Sequence, residues 1–455
     1  MSNSHKVIVI GAGMAGSEAA NFLASQGVKV VLVESKTVKK NPAQKIDAFA
    51  ELVCTNSLKS MNPASGHGLL KYEMDALGSI ILDCARKHAV PAGDALAVER
   101  DGFSGEVTDR LHNHENIEVV AMDASDPQEL MAKYEADACV IASGPLTTEG
   151  LSNWIVKNIS DDDFYFYDAI APVVDGDSLD YSKLYYKDRH KPVSEEEGEQ
   201  ADYLNAPMNK EQYEDFIAEL VKAEKVPAQN FEDYKFFESC LPVDIMAERG
   251  VDTARFSCMK PIGLELPDGS LPYACVQLRR ENLLGSAFNM VGFQTRLKYP
   301  EQKRVFSKIP GFENASFLHL GSVHRNSFIN SRTLLDFDLS VKKFPNIYFA
   351  GQITGVEGYT ESASMGLYVA FQLLKKLRGE EVRPFPVETG MGALVNYVMT
   401  VPKPVPSNIN FGLLPPVALT KEQRRDRKNR KKVKKQLASD RAKESFDNFM
   451  KEYNK

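Results

Sequence analysis

The sequence lacks the features of membrane-spanning, secreted and zinc-binding proteins. No apolar run approaches the roughly 20 residues that a bilayer-spanning helix needs. The opening residues MSNSHK run directly into the apolar stretch VIVIG, which leaves no room for a signal peptide. The six cysteines form no C-x-x-C pair, and no cluster of His, Cys and Asp has metal-ligand spacing. We therefore predict a cytoplasmic protein without a metal site, whose thiols are mostly buried and reduced.

The chain also lacks a large excess of either positive or negative charge, but its charged residues are unevenly distributed along the sequence. The net charge of −7 is unfavourable for a nucleic-acid partner. However, residues 421–435 (KEQRRDRKNRKKVKK) hold ten Lys or Arg against two acids, whereas residues 194–202 are acidic. Such unevenness permits a basic docking face on an acidic protein. The alternative is that the basic run is a solvated helix face.

The chain of 455 residues exceeds what one hydrophobic core usually supports, so we expect two packed units. Its beginning follows the order strand, glycine turn, helix, strand that is typical of a Rossmann-like fold. The predicted strands are Lys6–Ile10, Val28–Glu34, Ile117–Val120, Ala138–Ile141 and Asn346–Gly351, and the predicted helices are Ser17–Gln26, one long helix over Leu69–His88 and a helix from Ser362.

Between Asp161 and Lys303 the character of the sequence changes, because aromatics, prolines and loops dominate. The parallel pattern returns only afterwards, so the first unit must be built from both ends of the chain. We predict an α/β fold with a discontinuous Rossmann-like cofactor domain at residues 1–160 and 304–420. Residues 161–303 are predicted to form an inserted smaller α+β domain. Residues 421–455 are a basic tail, either a charged helix or disordered.

The glycine turn matches the dinucleotide fingerprint G-x-G-x-x-G with Gly11, Ala12, Gly13, Met14, Ala15 and Gly16. Gly11 permits the tight turn, Gly13 lets the backbone approach a pyrophosphate, and Gly16 allows the helix to pack closely on the strand. Glu34 ends the second strand, where an acid accepts hydrogen bonds from a ribose. The alternative is a tight turn in an α/β domain without a ligand.

Two later strand ends favour FAD over NAD. The segment Ala350-Gly351-Gln352, with its following glycines and helix, resembles the element that brings a turn to the flavin end in two-dinucleotide flavoproteins. Gly351 and Gln352 are therefore predicted to bind the cofactor, although an Asp usually stands where Gln352 is. The run ending at Gly144 resembles the A-T-G strand end of the same class. No second fingerprint occurs, so we expect NAD(P)H to dock directly at the flavin face.

Longer blocks carry a more specific resemblance. In order along the chain they are FAELVCTNSL at 49–58, GLLKYEM at 68–74, VPAGDALAVER at 90–100, YFYDAIAPVV at 165–174, CLPVDIMAERG at 240–250, MKPIGL at 259–264, HRNSFINS at 324–331, GQITGVEGYTESASMGL at 351–367 and FGLLPPV at 411–417. Nearly end to end, the chain resembles the folate- and FAD-dependent tRNA uracil-5-methyltransferase family. Its best-known members make 5-methyluridine in the T-loop of tRNA.

The resemblance implies a reaction and two catalytic thiols. Methylenetetrahydrofolate would supply the one-carbon unit through reduced flavin to uracil C5, with NAD(P)H as reductant. A thiolate that adds to C6 makes C5 nucleophilic enough to attack. Cys240 matches the family cysteine most often given that role. Cys54 matches the second cysteine, which is placed near the flavin and credited with proton handling or shielding. Inert buried thiols are the alternative.

Departures from the family pattern leave the RNA target open. The family's T-P-A-H-H is N-P-A-Q-K at residues 41–45, and its Y-L-N-C-P-M has Ala206 in place of the cysteine. One alternative is the same chemistry on a uridine of large-subunit ribosomal RNA. Others are a flavin-dependent enzyme that modifies the tRNA wobble uridine, and an RNA-binding protein that keeps FAD without catalysis. The oligomeric state cannot be predicted from the sequence.

Overall fold

A computed structural model of the chain describes residues 5–41, 43–159, 164–190, 201–226, 241–281, 285–402, 406–426 and 428–453, with backbone alone at 164–170, 322–327 and 424. Its strands are β1 Lys6–Ile10, β2 Lys29–Glu34, β3 Ser57–Ser60, β4 Ala89–Val90, β5 Ala95–Val98, β6 Ile117–Ala121, β7 Ala138–Ile141, β8 Phe164–Ile170, β9 Val173–Asp175, β10 Tyr185–Tyr186, β11 Tyr203–Met208, β12 Ala274–Arg280, β13 Ala287–Met290, β14 Phe317–His319, β15 Ser322–Phe328, β16 Ser340–Val341 and β17 Phe344–Phe349.

The helices of the described residues connect these strands or cover the sheets. They are α1 Met14–Ser25, α2 Gly66–Ala76, α3 Ile80–Lys87, α4 Arg100–His112, α5 Pro127–Tyr134, α6 Glu149–Asn158, α7 Lys210–Lys222, α8 Val243–Arg249, α9 Tyr299–Phe306, α10 Ser331–Leu334, α11 Tyr359–Leu377, α12 Gly390–Thr400, α13 Lys421–Arg425 and α14 Arg430–Tyr453.

The first sheet has the order β16-β17-β7-β1-β2-β6. All its neighbouring pairs are parallel except β16 with β17. The strand order reverses at β1, since β2 and β6 lie on one side and β7 and β17 on the other. In open α/β sheets, ligands bind outside the carboxyl ends of the strands at such a reversal. The α/β fold predicted from the sequence is confirmed, and it locates a candidate site.

A second sheet is entirely antiparallel, with the order β10-β11-β12-β13-β9-β14. It has its own hydrophobic core, separate from the core around the first sheet. The second core continues past Lys303 to Val305, Phe306 and Phe312. Two smaller antiparallel groups, β15-β8 and β3-β5-β4, complete the described sheets. The boundaries proposed from the sequence stay a prediction.

Some predicted element bounds are wrong. The long helix expected over Leu69–His88 is two helices, because Gly78 adopts a left-handed φ of 76° and the Ser79 side chain accepts from Leu82 N to cap α3. Helices α1 and α11 each start three residues earlier than expected, directly after their N-cap glycines. The strand predicted at Asn346–Gly351 is β17 and ends at Phe349, since the positive φ of Gly351 does not fit a strand.

The last helix packs on the body of the protein. Ala442, Phe446 and Phe449 of α14 are buried in the core around the first sheet. The Tyr72 hydroxyl of α2 donates to Asp447 at 2.8 Å. Of the two interpretations of the basic tail, the charged helix is the one observed over most of its length.

Candidate active site

The glycine turn after β1 has a backbone that other residues cannot adopt without collision. Gly11 has φ +100°, and a Cβ added there would lie 2.5 Å from the carbonyl oxygen of Ala142. A Cβ added at Gly16 would lie 1.7 Å from Gly11 O, because the start of α1 packs directly against the glycine turn. Real Cβ contacts do not come that close. Glycine is therefore required at both positions by the local backbone geometry.

The start of α1 is open toward solvent. Gly13 is its exposed N-cap residue, and an added Cβ there would meet no atom within 4 Å. No side chain caps this helix end, and its first turn contains no acid. The first N–H groups of a helix lack partners within the helix and attract anions. This end of α1 is therefore suited to a phosphate group.

Glu34, at the end of β2, lies beside the turn. Its Oε2 accepts from Ala12 N at 2.6 Å and its Oε1 accepts from Lys36 N at 2.9 Å. Each carboxylate oxygen retains capacity for another donor, such as a ribose hydroxyl. Lys36 itself is buried and its Nζ donates to Glu51 Oε2 at 2.9 Å and to Ala48 O at 2.6 Å. These contacts hold the wall of the site next to Glu34.

A cleft joins the carboxyl ends of the five parallel strands. Its empty volume, open mouth included, is about 1140 Å³. It is lined at those strand ends by Gly11, Ala12, Gly13, Met14, Ala15, Glu34, Met122, Asp123, Ala142, Ser143, Gly144, Ala350, Gly351 and Gln352. Every cofactor residue predicted from the sequence thus lines this cleft, except Gly16, which packs beneath it.

The far side of the cleft is formed by the turn after β17 and the start of α11. Gly351 has φ +83°, and an added Cβ would lie 2.8 Å from Ala15 Cβ. Further along α11, a Cβ at Gly366 would lie 2.1 Å from Ala15 O. The two helices that begin at the cleft therefore touch through backbone. Sequence reasoning missed Gly366, although small residues at a helix crossing are a signal for such contact.

Cys54 lies next to the cleft through its neighbours. Val53 and Tyr359 both line it, and the Tyr359 hydroxyl oxygen accepts from Cys54 N at 2.6 Å. Burial, reinforced by the charge at Cys54, raises the pKa of Tyr359 well above its usual value, so the phenol stays neutral. Its proton remains available for another acceptor. Cys240, the other predicted catalytic residue, lies outside the described residues.

Two arginines from distant parts of the chain contact residues 52–56, the Cys54 segment. Arg279, at the end of β12, donates from Nε to Asn56 Oδ1 at 2.8 Å and from a terminal nitrogen to the Thr55 hydroxyl. Arg100 donates to both carboxylate oxygens of Glu281, at 2.7 and 3.1 Å, and to the Leu52 carbonyl. Burial lowers the pKa of the Arg279 guanidinium. Sequence reasoning missed Arg100 and Glu281, because no local pattern pairs them.

The other described cysteines are unsuited to nucleophilic chemistry. Burial raises the pKa of Cys84, Cys258 and Cys275 to about 12 each, and it also raises that of Cys139. A thiol that stays protonated at neutral pH is a poor nucleophile. Ala206, where the family has a third cysteine, is buried in β11.

Neither a metal centre nor a membrane span is found in the part of the chain that the structure describes. The described residues contain no group of three or more His, Cys, Asp or Glu side chains that could hold a metal ion. No helix there is both long and apolar enough to cross a bilayer.

A family model described as glucose inhibited division protein A matches residues 6–381. The chain belongs to this family. It is 46% identical to the methylenetetrahydrofolate–tRNA-(uracil-5-)-methyltransferase TrmFO of Natranaerobius thermophilus, over 98% of this chain and 99% of the relative. It is 45% identical to the protein of the same name from Streptococcus pneumoniae, over 99% and 100%. These relatives confirm the family resemblance predicted from the sequence.

Solved structures of the glucose inhibited division protein A family share the fold. GidA of Aquifex aeolicus, in its form I crystal, superimposes with a TM-score of 0.66 at 16% identity, covering 90% of this chain and 72% of that one. Its form II crystal gives a TM-score of 0.63 at 17% identity, covering 89% and 69%.

Proposed function

We propose that this protein is a flavin-dependent methyltransferase that forms 5-methyluridine in tRNA, with methylenetetrahydrofolate as carbon donor and NAD(P)H as reductant. The observation that carries the proposal is the near-full-length identity of 45–46% to proteins named for that activity. The geometry of the cleft supports it, since the cleft offers the groups that a dinucleotide cofactor needs.

FAD fits the cleft on three observations. The space above Gly13 is open, the start of α1 has no side-chain cap, and the Glu34 carboxylate lies beside the turn. Residues 11–15 would hold the pyrophosphate, Glu34 the ribose, and Gly351 with Gln352 the flavin end. When bound, FAD supplies the hydride chemistry that a reductive methylation requires.

The protein's own part in the reaction is assigned to two thiols. We assign Cys240 as the nucleophile that adds to uracil C6, and Cys54 as the group that handles a proton or shields the site. Cys54 N donates to the Tyr359 hydroxyl at the cleft, and residues on either side of Cys54 accept from Arg100 and Arg279, which supports a role in the reaction rather than in packing. We also propose a cytoplasmic location, which is consistent with a tRNA substrate.

Replacing each thiol separately tests the assignment. Cys240→Ala and Cys54→Ala should keep FAD, measured by flavin absorbance, and should lose at least about 100-fold in 5-methyluridine formation, measured by mass spectrometry of tRNA. Cys84→Ala is the matched control and should keep its activity, because that thiol is buried and protonated. Wild-type levels of 5-methyluridine from Cys240→Ala would overturn its role.

Ribosomal RNA is the second candidate substrate. It is favoured by the departure at residues 41–45, since Asn41 and Gln44, which both differ from the family pattern, line the cleft. Purified protein assayed on tRNA and on large-subunit rRNA fragments separates the two. Anaerobic reduction by NAD(P)H and reoxidation linked to folate turnover would exclude an RNA-binding protein that keeps FAD without catalysis.

A further inference from the structure

The strongest concentration of positive charge in the sequence lies in α13 and at the start of α14. Residues 421–435 contribute a net charge of +8, so the remaining 440 residues carry −15. A surface that negative repels an RNA backbone, and binding then requires a local basic surface. The described basic residues of this segment are all exposed: Lys421, Arg425, Lys428, Arg430, Lys431, Lys432, Lys434 and Lys435.

These eight side chains are not used in the fold. Within the described residues none of them forms an ion pair with an acid. Some exposed lysines elsewhere do, as Lys298 does with Glu224 at 2.8 Å. Their charge is therefore not neutralised internally and is available to a polyanion. In the first two turns of α14, Val433 and Leu437 are half-buried and the other residues are exposed.

The second half of α14 anchors the part of the segment that belongs to this helix, residues 430–435. Ala438, Ser439 and Ala442 are buried, and the Ser439 hydroxyl donates to Pro63 O at 2.6 Å. Arg441 donates to the carbonyl of Pro416 at 3.1 Å. The eight residues from Arg430 to Leu437 thus extend about 12 Å from a fixed base, at 1.5 Å per residue. A preorganised charge array loses less entropy on binding than a disordered tail.

The contacts of α14 also fix its direction. Ser439 meets Pro63, just before α2, whereas Asp447 meets Tyr72 in the second half of α2. The two helices therefore run parallel, and the basic half of α14 projects beyond the N-terminal end of α2. At that same end His67 of α2 lies 3.2 Å from Glu361, in the first turn of α11. The start of α11 lines the cleft and contacts the Cys54 segment.

We propose that the basic segment 421–435 binds the phosphate backbone of the substrate RNA beside the cleft, a proposal that rests on the proposed function. The segment and the Cys54 side of the cleft lie at the same end of α2. RNA held by the segment is therefore held at the end of the molecule where the Cys54 side of the cleft lies. Affinity gained in this way depends on charge and not on base sequence.

The test replaces Lys431, Lys432, Lys434 and Lys435 by Gln, which preserves helix propensity and the anchoring half of α14. The matched control replaces four exposed, ion-paired lysines of the second-sheet region by Gln: Lys183, Lys210, Lys222 and Lys298. Both variants change the net charge equally. Binding of a tRNA transcript to FAD-loaded protein is measured across a salt series.

The basic-segment variant should bind RNA about 10- to 100-fold more weakly at low salt. Its slope of log affinity against log salt should be smaller by about 2 to 4. KM for tRNA should rise while NAD(P)H oxidation stays unchanged, and the control should move less than about twofold. Equal affinity and slope in both variants would overturn the proposal, as would loss of anionic-vesicle binding with RNA binding intact. If the wild type forms no 5-methyluridine, the proposed function fails, and the binding comparison still decides this inference.

Discussion

Two neighbouring regions of the molecule are built in different ways. One is the dinucleotide cleft, and the other is the Cys54 junction, where the Cys54 segment meets Arg279 of the second sheet. The cleft is made by short segments at strand ends, and each segment contains its own determinant, such as the Gly11 turn or Glu34. The junction joins Thr55 and Asn56 to Arg279, more than 220 residues away in the sequence. One region is specified locally, whereas the other depends on the correct packing of two sheets.

The difference has a functional consequence. The residues proposed to bind the cofactor all belong to the first sheet and to the turns that follow its strands, so we expect cofactor binding to survive damage to the second sheet. We expect catalysis to require both regions, because the segment of the proposed catalytic Cys54 is held by Arg279 and by the Arg100–Glu281 pair. Substitutions in the two regions should therefore separate flavin content from activity.

The largest effect is expected from Gly16→Ala. Its methyl group would collide with Gly11 O, a backbone atom that cannot move without breaking the turn. Overpacking of this kind costs about 1–3 kcal/mol of unfolding free energy, and the distorted turn should also lose FAD. Urea unfolding and flavin absorbance measure the two effects.

Gly13→Ala is the matched control for that substitution. The added methyl meets no protein atom, so stability should stay within about 0.5 kcal/mol of wild type. The methyl does enter the space assigned to the pyrophosphate, and the FAD dissociation constant should rise about 10- to 100-fold. Unchanged FAD affinity in Gly13→Ala would contradict the placement of the cofactor.

The junction is tested by Arg279→Met, which keeps the apolar stem and removes the donors. Asn56 is fully buried and loses a partner, so unfolding free energy should fall by about 1–3 kcal/mol. We expect 5-methyluridine formation to fall about 10- to 100-fold while FAD content stays near wild type. The control is Arg304→Met, at an exposed arginine paired with Glu301. It should change neither the unfolding free energy nor 5-methyluridine formation. Full activity in Arg279→Met would show that the junction is not needed for catalysis.

What could be predicted from the sequence follows the same division. The turn at residues 11–16, Glu34 and Gly351 were predicted because backbone geometry demands particular residues at particular spacings. Their convergence follows from the parallel sheet, whose strand ends meet at one edge. The family resemblance supplied Cys54 and Cys240, which no spacing rule would have selected.

The rest could not be predicted, since it depends on tertiary packing. Nothing near Lys36 signals its burial against Glu51, and nothing near Arg279 signals its contact with Asn56. The break between α2 and α3 was missed although Gly78 and Ser79 are good stop and start signals, because apolar residues continue through it. Long-range partners require the fold itself.

The pH dependence of stability tests another long-range contact, between Glu73 of α2 and the start of α12. Its carboxylate accepts from Gly390 N and from Met391 N at 2.8 Å, yet burial raises its pKa from 4.5 to about 8. Between these values the folded protein holds a proton that the unfolded chain has released. Stability should therefore fall as pH rises from about 5 to 8 and level off above that.

Glu73→Gln removes this titration and should flatten the profile, even if its overall stability is lower. Burial also raises the pKa of Glu18 to about 8, so Glu18 should contribute a similar dependence of stability on pH. Roughly half of the wild-type slope should therefore remain in Glu73→Gln. Urea midpoints measured across this pH range provide the comparison. Parallel profiles for wild type and Glu73→Gln would show that Glu73 is ionised in the folded protein.

The smallest effect is expected from Gly105→Ala, the same substitution as at Gly16 but with the opposite sign. Gly105 lies inside α4, and an added Cβ would meet no atom within 4 Å. Alanine restricts the unfolded chain and favours the helix, so unfolding free energy should rise by about 0.5–1 kcal/mol. FAD content and activity should not change. A destabilised Gly105→Ala would mean that α4 is packed more tightly than its geometry indicates, and that the severity at Gly16 is not specific to the turn.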